Sequence, residues 1–369
     1  MKTLRRMVYG EVLRATAFVS VAFLALFFFF DLMDAFERME RGARFGYHMG
    51  HGAIMTLLQV PGHIYELMPI AALIGAIYVM ARLAESSEFT IMRTSGLDPH
   101  QALLTLLGLG VGFVVLTFVF GDYIAPEAVR IEQQMRARYL GDITSGRTGA
   151  WLKDQKDGRE WVVNVGSLGS DGRLRRVRLF EFESAGGRLL TSIHADTAHD
   201  TRDGIWRLEQ PLRRSFAHAE DAPASVTLER LPQLDWRTEL STDVVTAALL
   251  SPERMQTLEL LSYISHLKAN GQSAQRYEIQ FWRKVFYPLS CLVMMVLALP
   301  FAYLHFRSGN ITGYVFLGVL VGISFFLLNN VFGHIGDLNN WVPWMAAAAP
   351  GVLYSALSLA AFSWLVLRR

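Results

Sequence analysis

The chain of 369 residues lacks most features of a soluble enzyme or a nucleic-acid-binding protein. Charged residues make up only 18% of it and the formal net charge is +2, so the composition gives no argument for binding nucleic acid. A single cysteine, Cys291, excludes an intrachain disulfide and a Cys-x-x-Cys metal site. We expect Cys291 to lie within an apolar span, where it would serve only as an apolar side chain.

Catalytic motifs are missing as well. No Gly-Lys dipeptide occurs, which excludes a P-loop, and no His-Glu-x-x-His occurs, which excludes a zincin-type zinc site. Nothing resembles the nucleophile elbow of a hydrolase. His194, His199 and His218 lie in one region, but their spacing defines no metal site and favours surface histidines. We therefore expect a chain that is not an enzyme and binds no metal.

Apolar residues, by contrast, are abundant and clustered: 52% of the chain is hydrophobic and 12% is aromatic. Six stretches approach or exceed the roughly 18–20 residues that cross the hydrocarbon core of a membrane. They are 15–33, 54–80, 102–124, 281–306, 311–332 and 343–367. Any one of them could be a buried core helix, but six together predict a polytopic α-helical membrane protein with six transmembrane helices. The first stretch is too long, and lacks the cleavage site, for a removable signal peptide.

Basic residues near the ends of these spans predict their orientation. With the N-terminus inside, the cytoplasmic pieces hold Lys2, Arg5, Arg6, Arg14, Arg82, Arg93, Arg307, Arg368 and Arg369. The short outside pieces hold Arg38, Arg41 and Arg44, partly offset by Glu37 and Glu40. This bias places both termini in the cytoplasm and the long segment 126–280 outside.

The outside segment changes from a helical pattern to a strand pattern. Residues 127–140 carry apolar side chains at helical spacing and are expected to extend the third span. Short alternating runs then lie between turn residues, with Asp-Gly pairs typical of hairpins. These runs are 161–165, 174–182, 189–194 and 204–208. They predict an all-β domain, an antiparallel sandwich or jellyroll, inserted between two groups of three spans.

The expected organisation therefore has three parts. Residues 1–125 and 281–369 form the two three-helix membrane halves, and 126–280 form the outer segment with its β core near 145–245. The Ser-Pro-Glu sequence at 251–253 is expected to open a helix that continues through Leu267.

Two prolines mark the second span. Pro61 and Pro69 bracket Glu66, and a proline inside a helix removes a hydrogen bond and bends the chain. Glu66 would then be hydrated near the outer end of a bent span, or would face a polar cavity as ionisable residues at membrane depth often do. The sequence leaves both alternatives open.

The loop between the second and third spans, residues 84–96, is charged and helix-prone. Phe89 and Met92 are one turn apart and would share a face of this helix, while Glu88 and Arg93 give it charge at both ends. One interpretation is an amphipathic helix resting on lipid. The alternative is a short surface helix through which a transport subunit receives force from a separate ATPase.

The end of this loop carries stop and start signals. Gly96 is the residue type expected at the left-handed C′ position of a helix. Asp98 is expected to cap the next helix, with Pro99 at its first position and Gln101 placed for a reciprocal bond. The loop is thus predicted to contain a helix, a sharp stop and the start of a new span.

Residues 83–96, Leu-Ala-Glu-Ser-Ser-Glu-Phe-Thr-Ile-Met-Arg-Thr-Ser-Gly, resemble the coupling segment of the lipopolysaccharide-export permeases, the LptF/LptG family. Further similar strings lie at 56–61, 69–76, 151–154 and 277–295. The likeness runs from the first span to the last, and its details are closer to the LptG branch. It implies six spans, a periplasmic β-jellyroll and a non-catalytic ABC-transporter permease that extracts lipopolysaccharide from the inner membrane of a Gram-negative bacterium.

The resemblance also implies partners. Two permeases of this family, one LptF-like, pair and sit on two copies of a cytoplasmic LptB-like ATPase, which uses ATP and Mg. A single-span LptC-like jellyroll protein accompanies them, and the lipid passes to a periplasmic bridge toward the outer membrane. No cofactor is implied for this chain itself.

Roles for single residues follow from the same resemblance. Glu88 would dock into the ATPase, with Phe89 and Arg93 supporting it. Three arginines near the outer span ends would hold headgroup phosphates, because arginine binds phosphate in a bidentate fork; they are Arg41, Arg44 and Arg136. Bulky apolar side chains would line a cavity for acyl chains; they are Phe27, Phe30, Phe325 and Phe326.

The basic cluster departs from the family pattern at two positions. The family often has lysine where this chain has Asp34 and Glu40. Arg38, Arg41 or a bridging divalent cation would substitute for the missing charge.

Two other functions are compatible with the pattern of spans. The first is an ABC permease for another lipid or a lipoprotein. The second is a membrane receptor or assembly scaffold whose β-domain senses an external partner. A receptor usually needs a sizeable cytoplasmic output domain, and every predicted inner loop here is short.

Overall fold

The computed structural model describes residues 2–42, 46–140, 149–156, 159–169, 172–183, 187–201, 205–217, 225–238, 240, 242–249, 252–303 and 311–364. Backbone contacts divide the chain into two compact units. The helical unit comprises Met1–Asp34, Thr56–Ala128 and Gln275–Arg369. The β unit comprises Ala35–Met55 and Val129–Ala274.

The elements follow one another in three runs. The first holds α1 (Lys2–Gly42), α2 (Met49–Glu85), α3 (Glu88–Thr94), α4 (Pro99–Val119), a π-helical segment (Phe120–Ile124) and α5 (Ala125–Leu140). The strands are β1 (Ala150–Lys156), β2 (Arg159–Leu168), β3 (Leu174–Glu183), β4 (Leu189–Asp200), β5 (Ile205–Glu209), β6 (Leu212–Ala217), β7 (Ser225–Arg230) and β8 (Gln233–Arg237). The last run holds α6 (Thr242–Leu249), a 3-10 turn (Pro252–Arg254), α7 (Thr257–Ala269), α8 (Gln275–Phe286), α9 (Ser290–Ala298), a 3-10 turn (Leu299–Tyr303), α10 (Ile311–Leu338) and α11 (Pro343–Phe362).

In the part of the chain that the structure describes, five helices are long and apolar enough to cross a membrane. They are Leu4–Arg38, Met49–Glu85, Pro99–Arg136, Ile311–Leu338 and Pro343–Phe362. A bent pair, Gln275–Phe286 with Ser290–Tyr303, raises the count to six if it is one span. A polytopic helical membrane protein with an inserted β region therefore fits, as predicted.

The expected fourth span is not one straight helix. Its two halves meet at an angle of 45°, with the break between Phe286 and Ser290. Pro288 lies in this break, and a proline there has no N–H to donate and clashes with the carbonyl four residues earlier. The sequence predicted a span over 281–306, and the structure shows that this stretch is bent at a proline that was visible in the sequence.

The helix α2 lies at the centre of the helical unit. Its most apolar stretch is 83% buried, as expected for a helix that is hydrophobic all round. Small residues let its neighbours approach closely: a Cβ at Gly75 would lie 2.7 Å from the backbone nitrogen of Thr16 on α1. A Cβ at Gly322 on α10 would lie 2.8 Å from Cγ2 of Ile70. The glycines therefore set how closely α1 and α10 pack on α2.

The prolines of α2 lie inside a helix that continues through both of them. The side chain of Glu66, between Pro61 and Pro69, is exposed. Its backbone carbonyl accepts a hydrogen bond of 2.5 Å from the hydroxyl of Tyr287, at the break of the fourth span. This bond ties the proline-containing stretch of α2 to the broken span.

The β unit contains an eight-stranded sheet in which all the pairings are antiparallel. Strands β1 to β5 and then β8 are neighbours in that order. The edge of β4 that faces away from β3 is shared: its second half pairs with β5 and its first half with β6, which carries β7. The predicted antiparallel β region is confirmed, and the pattern missed β1, β6, β7 and β8.

Large apolar side chains fill the core of the β unit. Leu152, Leu179, Leu208 and Trp206 are almost fully buried, and the indole nitrogen of Trp206 donates to the carbonyl of Leu240 at 2.8 Å. On the exposed surface, Arg207 of β5 donates to the carboxylate of Asp235 on β8 at 2.7 and 3.0 Å, which lowers the pKa of that carboxyl below its usual value.

The helix expected from residue 251 begins later. Pro252–Arg254 forms a 3-10 turn, and α7 starts at Thr257 with Gln256 as its N-cap. Gln256 and Glu259 form a capping box, in which the Glu259 carboxylate accepts from the Gln256 backbone N–H at 2.9 Å. The helix thus begins at the capping box and not at Pro252. The predicted N-cap, Ser251, lies outside the described residues.

Candidate functional site

The inner loop forms a shorter helix than its sequence suggests. The helix α2 continues to Glu85 and ends where Ser87 adopts a left-handed conformation with φ of 59°. The coupling helix, which is α3 (Glu88–Thr94), then has seven residues. Residues 84–87, which we assigned to the insert, are thus the end of α2 and a turn.

The end of the coupling helix is a Schellman motif. Gly96 has a φ of 98°, its N–H donates to the carbonyl of Arg93, and the N–H of Leu97 donates to the carbonyl of Met92, both at 3.0 Å. The predicted stop at Gly96 is confirmed. The predicted reciprocal bond at the next helix is not, because Asp98 occupies the N-cap position without a side-chain cap bond.

One face of the coupling helix is fixed to the end of the fourth span. Phe89 is 4% exposed, and its ring meets that of Tyr303 edge-on at 5.0 Å. The Arg93 guanidinium lies over the same Tyr303 ring, 4.9 Å from its centre, in a cation–π contact. Phe89 and Arg93 therefore hold the coupling helix in place instead of pointing outward.

The opposite face is exposed. The side chain of Glu88 is exposed, and Ile91 is 61% exposed although it is apolar. No role for Ile91 was predicted from the sequence. A helical projection would have found it, because Ile91 lies opposite the face shared by Phe89 and Met92.

Two of the predicted wall residues lie on α1. Phe30 is 56% exposed, and the ring of Phe27 stacks on the imidazole of His63 at 4.9 Å. His63 Nε2 makes a 2.8 Å hydrogen bond to Asp31 Oδ2. Asp31 and His63 were not predicted from the sequence because they lie far apart in the chain, although Asp31 is one helical turn after Phe27.

The other two wall residues lie on α10 and behave differently. Phe325 is 2% exposed and packs between helices against Tyr287 and Tyr354, with ring centres 6.4 and 5.1 Å away. Phe325 therefore packs inside the helical unit in this structure, and its place on a cavity wall stays a prediction. Phe326 is half-buried.

Of the three predicted headgroup arginines, only Arg136 has a side chain within the described residues. Arg136 lies on α5 and makes an ion pair with Glu132, whose side chain is 1% exposed. Arg41 lies within α1, but its side chain is outside the described residues, as is all of Arg44. The predicted grouping of the three therefore lies outside the described residues, and the structure gives an environment for Arg136 alone.

The family described as lipopolysaccharide export system permease LptF/LptG matches residues 6–367. This chain belongs to that family. It is 29% identical over 337 residues to the lipopolysaccharide export system permease protein LptG of Escherichia coli strain K12, covering 90% of each chain. It is 28% identical over 370 residues to the protein of the same name from Haemophilus influenzae, covering 100% of this chain and 99% of that one.

This member of the LptF/LptG family contains a buried ion pair within its spans. Lys284 Nζ lies 3.8 Å from Asp122 Oδ1 and donates to the carbonyl of Gly121 at 3.1 Å. The side chains of Lys284 and Asp122 are 5% and 13% exposed. Gly121 and Asp122 belong to the π-helical segment, and a Cβ at Gly121 would clash with the ring of Tyr65. Charged side chains buried among membrane helices need a partner, and this pair was not predicted from the sequence.

Within the described ranges, no group of three or more His, Cys, Asp or Glu side chains is placed to hold a metal ion. His194 and His199 lie on β4, and His218 is outside those ranges. Cys291 is buried and lies 3.4 Å from the hydroxyl of Thr117.

Proposed function

We propose that this chain is the LptG-like permease subunit of an ABC transporter that extracts lipopolysaccharide from the inner membrane. It passes the lipid to a periplasmic bridge toward the outer membrane. The observation that carries this proposal is the family match over residues 6–367, together with relatives that cover 90% or more of the chain. The chain is a non-catalytic subunit.

The coupling helix transmits force from an LptB-like ATPase, two copies of which bind ATP and Mg. Glu88 and Ile91 form its docking face, which is exposed. Phe89 and Arg93 connect it to Tyr303, at the end of the broken fourth span. A force on the exposed face of the coupling helix is thus transmitted directly to a span that is already bent.

The lipid is held at two places. Arg136, with Arg41 and Arg44, binds phosphates of the headgroup, because guanidinium groups bind phosphate in a bidentate fork. Phe27, Phe30 and Phe326 contribute to an apolar wall for acyl chains. Burying an acyl chain is worth about 0.8 kcal/mol per CH₂, so extraction without such a wall would cost tens of kcal/mol.

The membrane arrangement follows from the basic residues near the span ends. Six spans cross the inner membrane, with 1–125 and 281–369 as its two halves and both termini in the cytoplasm. Segment 126–280 is periplasmic, with a jellyroll core near 145–245. An LptF-like permease pairs with this chain, and an LptC-like single-span protein and the bridge complete the assembly.

The β unit serves as a docking surface in this proposal. Its interior retains a cavity of about 10 Å³, room for about one water molecule, lined by apolar side chains that include Trp206, Trp236 and Leu240. An acyl chain needs far more space. The strand β7 is exposed along its whole length and pairs, among the described strands, with β6 alone. Its unpaired side suits strand addition by a neighbouring jellyroll.

Mass spectrometry of the detergent-purified transporter tests the cargo. We expect lipopolysaccharide to co-purify with the complex of this chain, its partner permease and the ATPase. An unrelated inner-membrane ABC permease, purified from the same cells in the same detergent, is the control and should carry phospholipid without enriched lipopolysaccharide. Consistent recovery of phospholipid alone with this complex would contradict the proposed cargo.

A further inference from the structure

Two arginines of the β unit converge on one buried carboxylate. Glu132 of α5 makes an ion pair through Oε1 with Arg136, and its Oε2 lies 3.9 Å from Arg254 Nη1. The Glu132 side chain is 1% exposed, whereas those of Arg136 and Arg254 are 36% and 47% exposed. The carboxylate is thus inside and both guanidinium groups reach the surface.

The chain holds Arg254 in this position from both sides. Arg254 ends a 3-10 turn that begins at Pro252 and is followed by Met255, and both of these residues are buried. Just beyond, Glu259 caps α7 and also forms an ion pair with Arg130 of α5. The segment before α7 is therefore fastened to the helix that carries Glu132 and Arg136, which makes the arrangement a built one.

The charges of this cluster do not cancel. One carboxylate faces two guanidinium groups, so Glu132, Arg136 and Arg254 together carry one excess positive charge. Each guanidinium has five N–H donors, and one carboxylate cannot accept all of them. The Nε of Arg136 is buried and has no hydrogen-bond partner among the described residues. Donors and charge remain for an anion with several oxygens, and phosphate matches the arginine fork.

We infer that Arg254 is a second phosphate-binding residue, which acts with Arg136 on a phosphate group of the lipid headgroup. The inference rests on the proposed function, from which the role of Arg136 comes, and adds a residue that neither the family resemblance nor the sequence pattern had assigned. Glu132 attracts both guanidinium groups and holds them beside one another while the site is empty of lipid.

Binding of phosphorylated and dephosphorylated lipid tests this inference. The purified transporter complex is titrated with bisphosphorylated lipid A and with the same lipid after enzymatic removal of both phosphates. Arg254→Ala should lower the affinity for the phosphorylated lipid by about tenfold and leave that for the dephosphorylated lipid unchanged, because a hydrogen-bonded charge pair is lost. Arg254→Lys keeps the charge but loses the bidentate fork, so its affinity for the phosphorylated lipid should lie between those of the wild type and Arg254→Ala.

Arg178→Ala, at an exposed position of strand β3, is the matched control and should bind both lipids as the wild type does. Equal affinity of Arg254→Ala and wild type for the phosphorylated lipid would overturn the role of Arg254. An equal loss for both lipids would also overturn it, since it would indicate a damaged fold. Failure of the wild-type complex to prefer either lipid over phospholipid would instead contradict the proposed function itself.

Discussion

Replacing Glu88 by alanine should weaken the association of the partner ATPase by at least about tenfold and stop lipopolysaccharide export. Truncating one member of a charge pair buried at an interface costs about 2–5 kcal/mol, much of it from the charge left unpaired. Glu88 is exposed on the coupling helix, whereas Phe89 is buried, so the change removes a docking group without disturbing the packing. Co-purification and stimulated ATP hydrolysis measure the effect.

Glu85→Ala is the matched control for this prediction. Glu85 is also exposed and acidic, but it is the last residue of α2 and precedes the coupling helix. It should retain ATPase binding, and both variants should insert into the membrane at wild-type levels. Wild-type assembly and export by Glu88→Ala would refute the docking role. Equal losses in the two variants would point to general surface charge instead.

Replacing Lys284 by methionine should destabilise the helical unit by about 3–5 kcal/mol, because it leaves the carboxylate of Asp122 inside a span without its buried cation. Methionine keeps the length of the side chain, so the loss of charge dominates over any cavity. The change should also free the π-helical segment, whose Gly121 carbonyl accepts from Lys284. Denaturant-induced unfolding in mixed micelles measures the stability.

The double variant Lys284→Met with Asp122→Asn is the control. Removing the second charge eliminates the buried carboxylate that has lost its lysine, so the double variant should recover a large part of the lost stability. A Lys284→Met protein that unfolds at the wild-type denaturant concentration would show that the ion pair does not hold these spans together. A double variant weaker than the single one would show that Asp122 is stabilised by something other than Lys284.

Local patterns in the sequence predicted those parts of the fold that depend on local physics. Apolar stretches of membrane length and alternating strands between Asp-Gly turns are visible without any tertiary contact. The break at Pro288 was visible too, but the surrounding apolar residues outweighed it. Strand β7 escaped notice because all of its residues are exposed, so its sequence lacks the apolar alternation of a half-buried strand.

The candidate site was predictable where one helix decides it. The face of the coupling helix follows from the spacing of Phe89 and Met92, and the pairing of Glu132 with Arg136 follows from their separation of one turn. The burial of Phe325 does not, because α10 is apolar on all sides and tertiary packing selects which of its side chains are covered. The approach of Arg254 to Glu132 joins distant parts of the chain and required the fold.

Release of lipopolysaccharide from proteoliposomes tests most directly whether this chain is a passive permease. The vesicles contain this chain and its partner permease, with or without the cytoplasmic ATPase, and transfer to an added soluble jellyroll acceptor is measured after ATP is supplied. Sustained transfer is expected with the ATPase and none without it. ATP-driven transfer that continues in the absence of the ATPase would contradict this function.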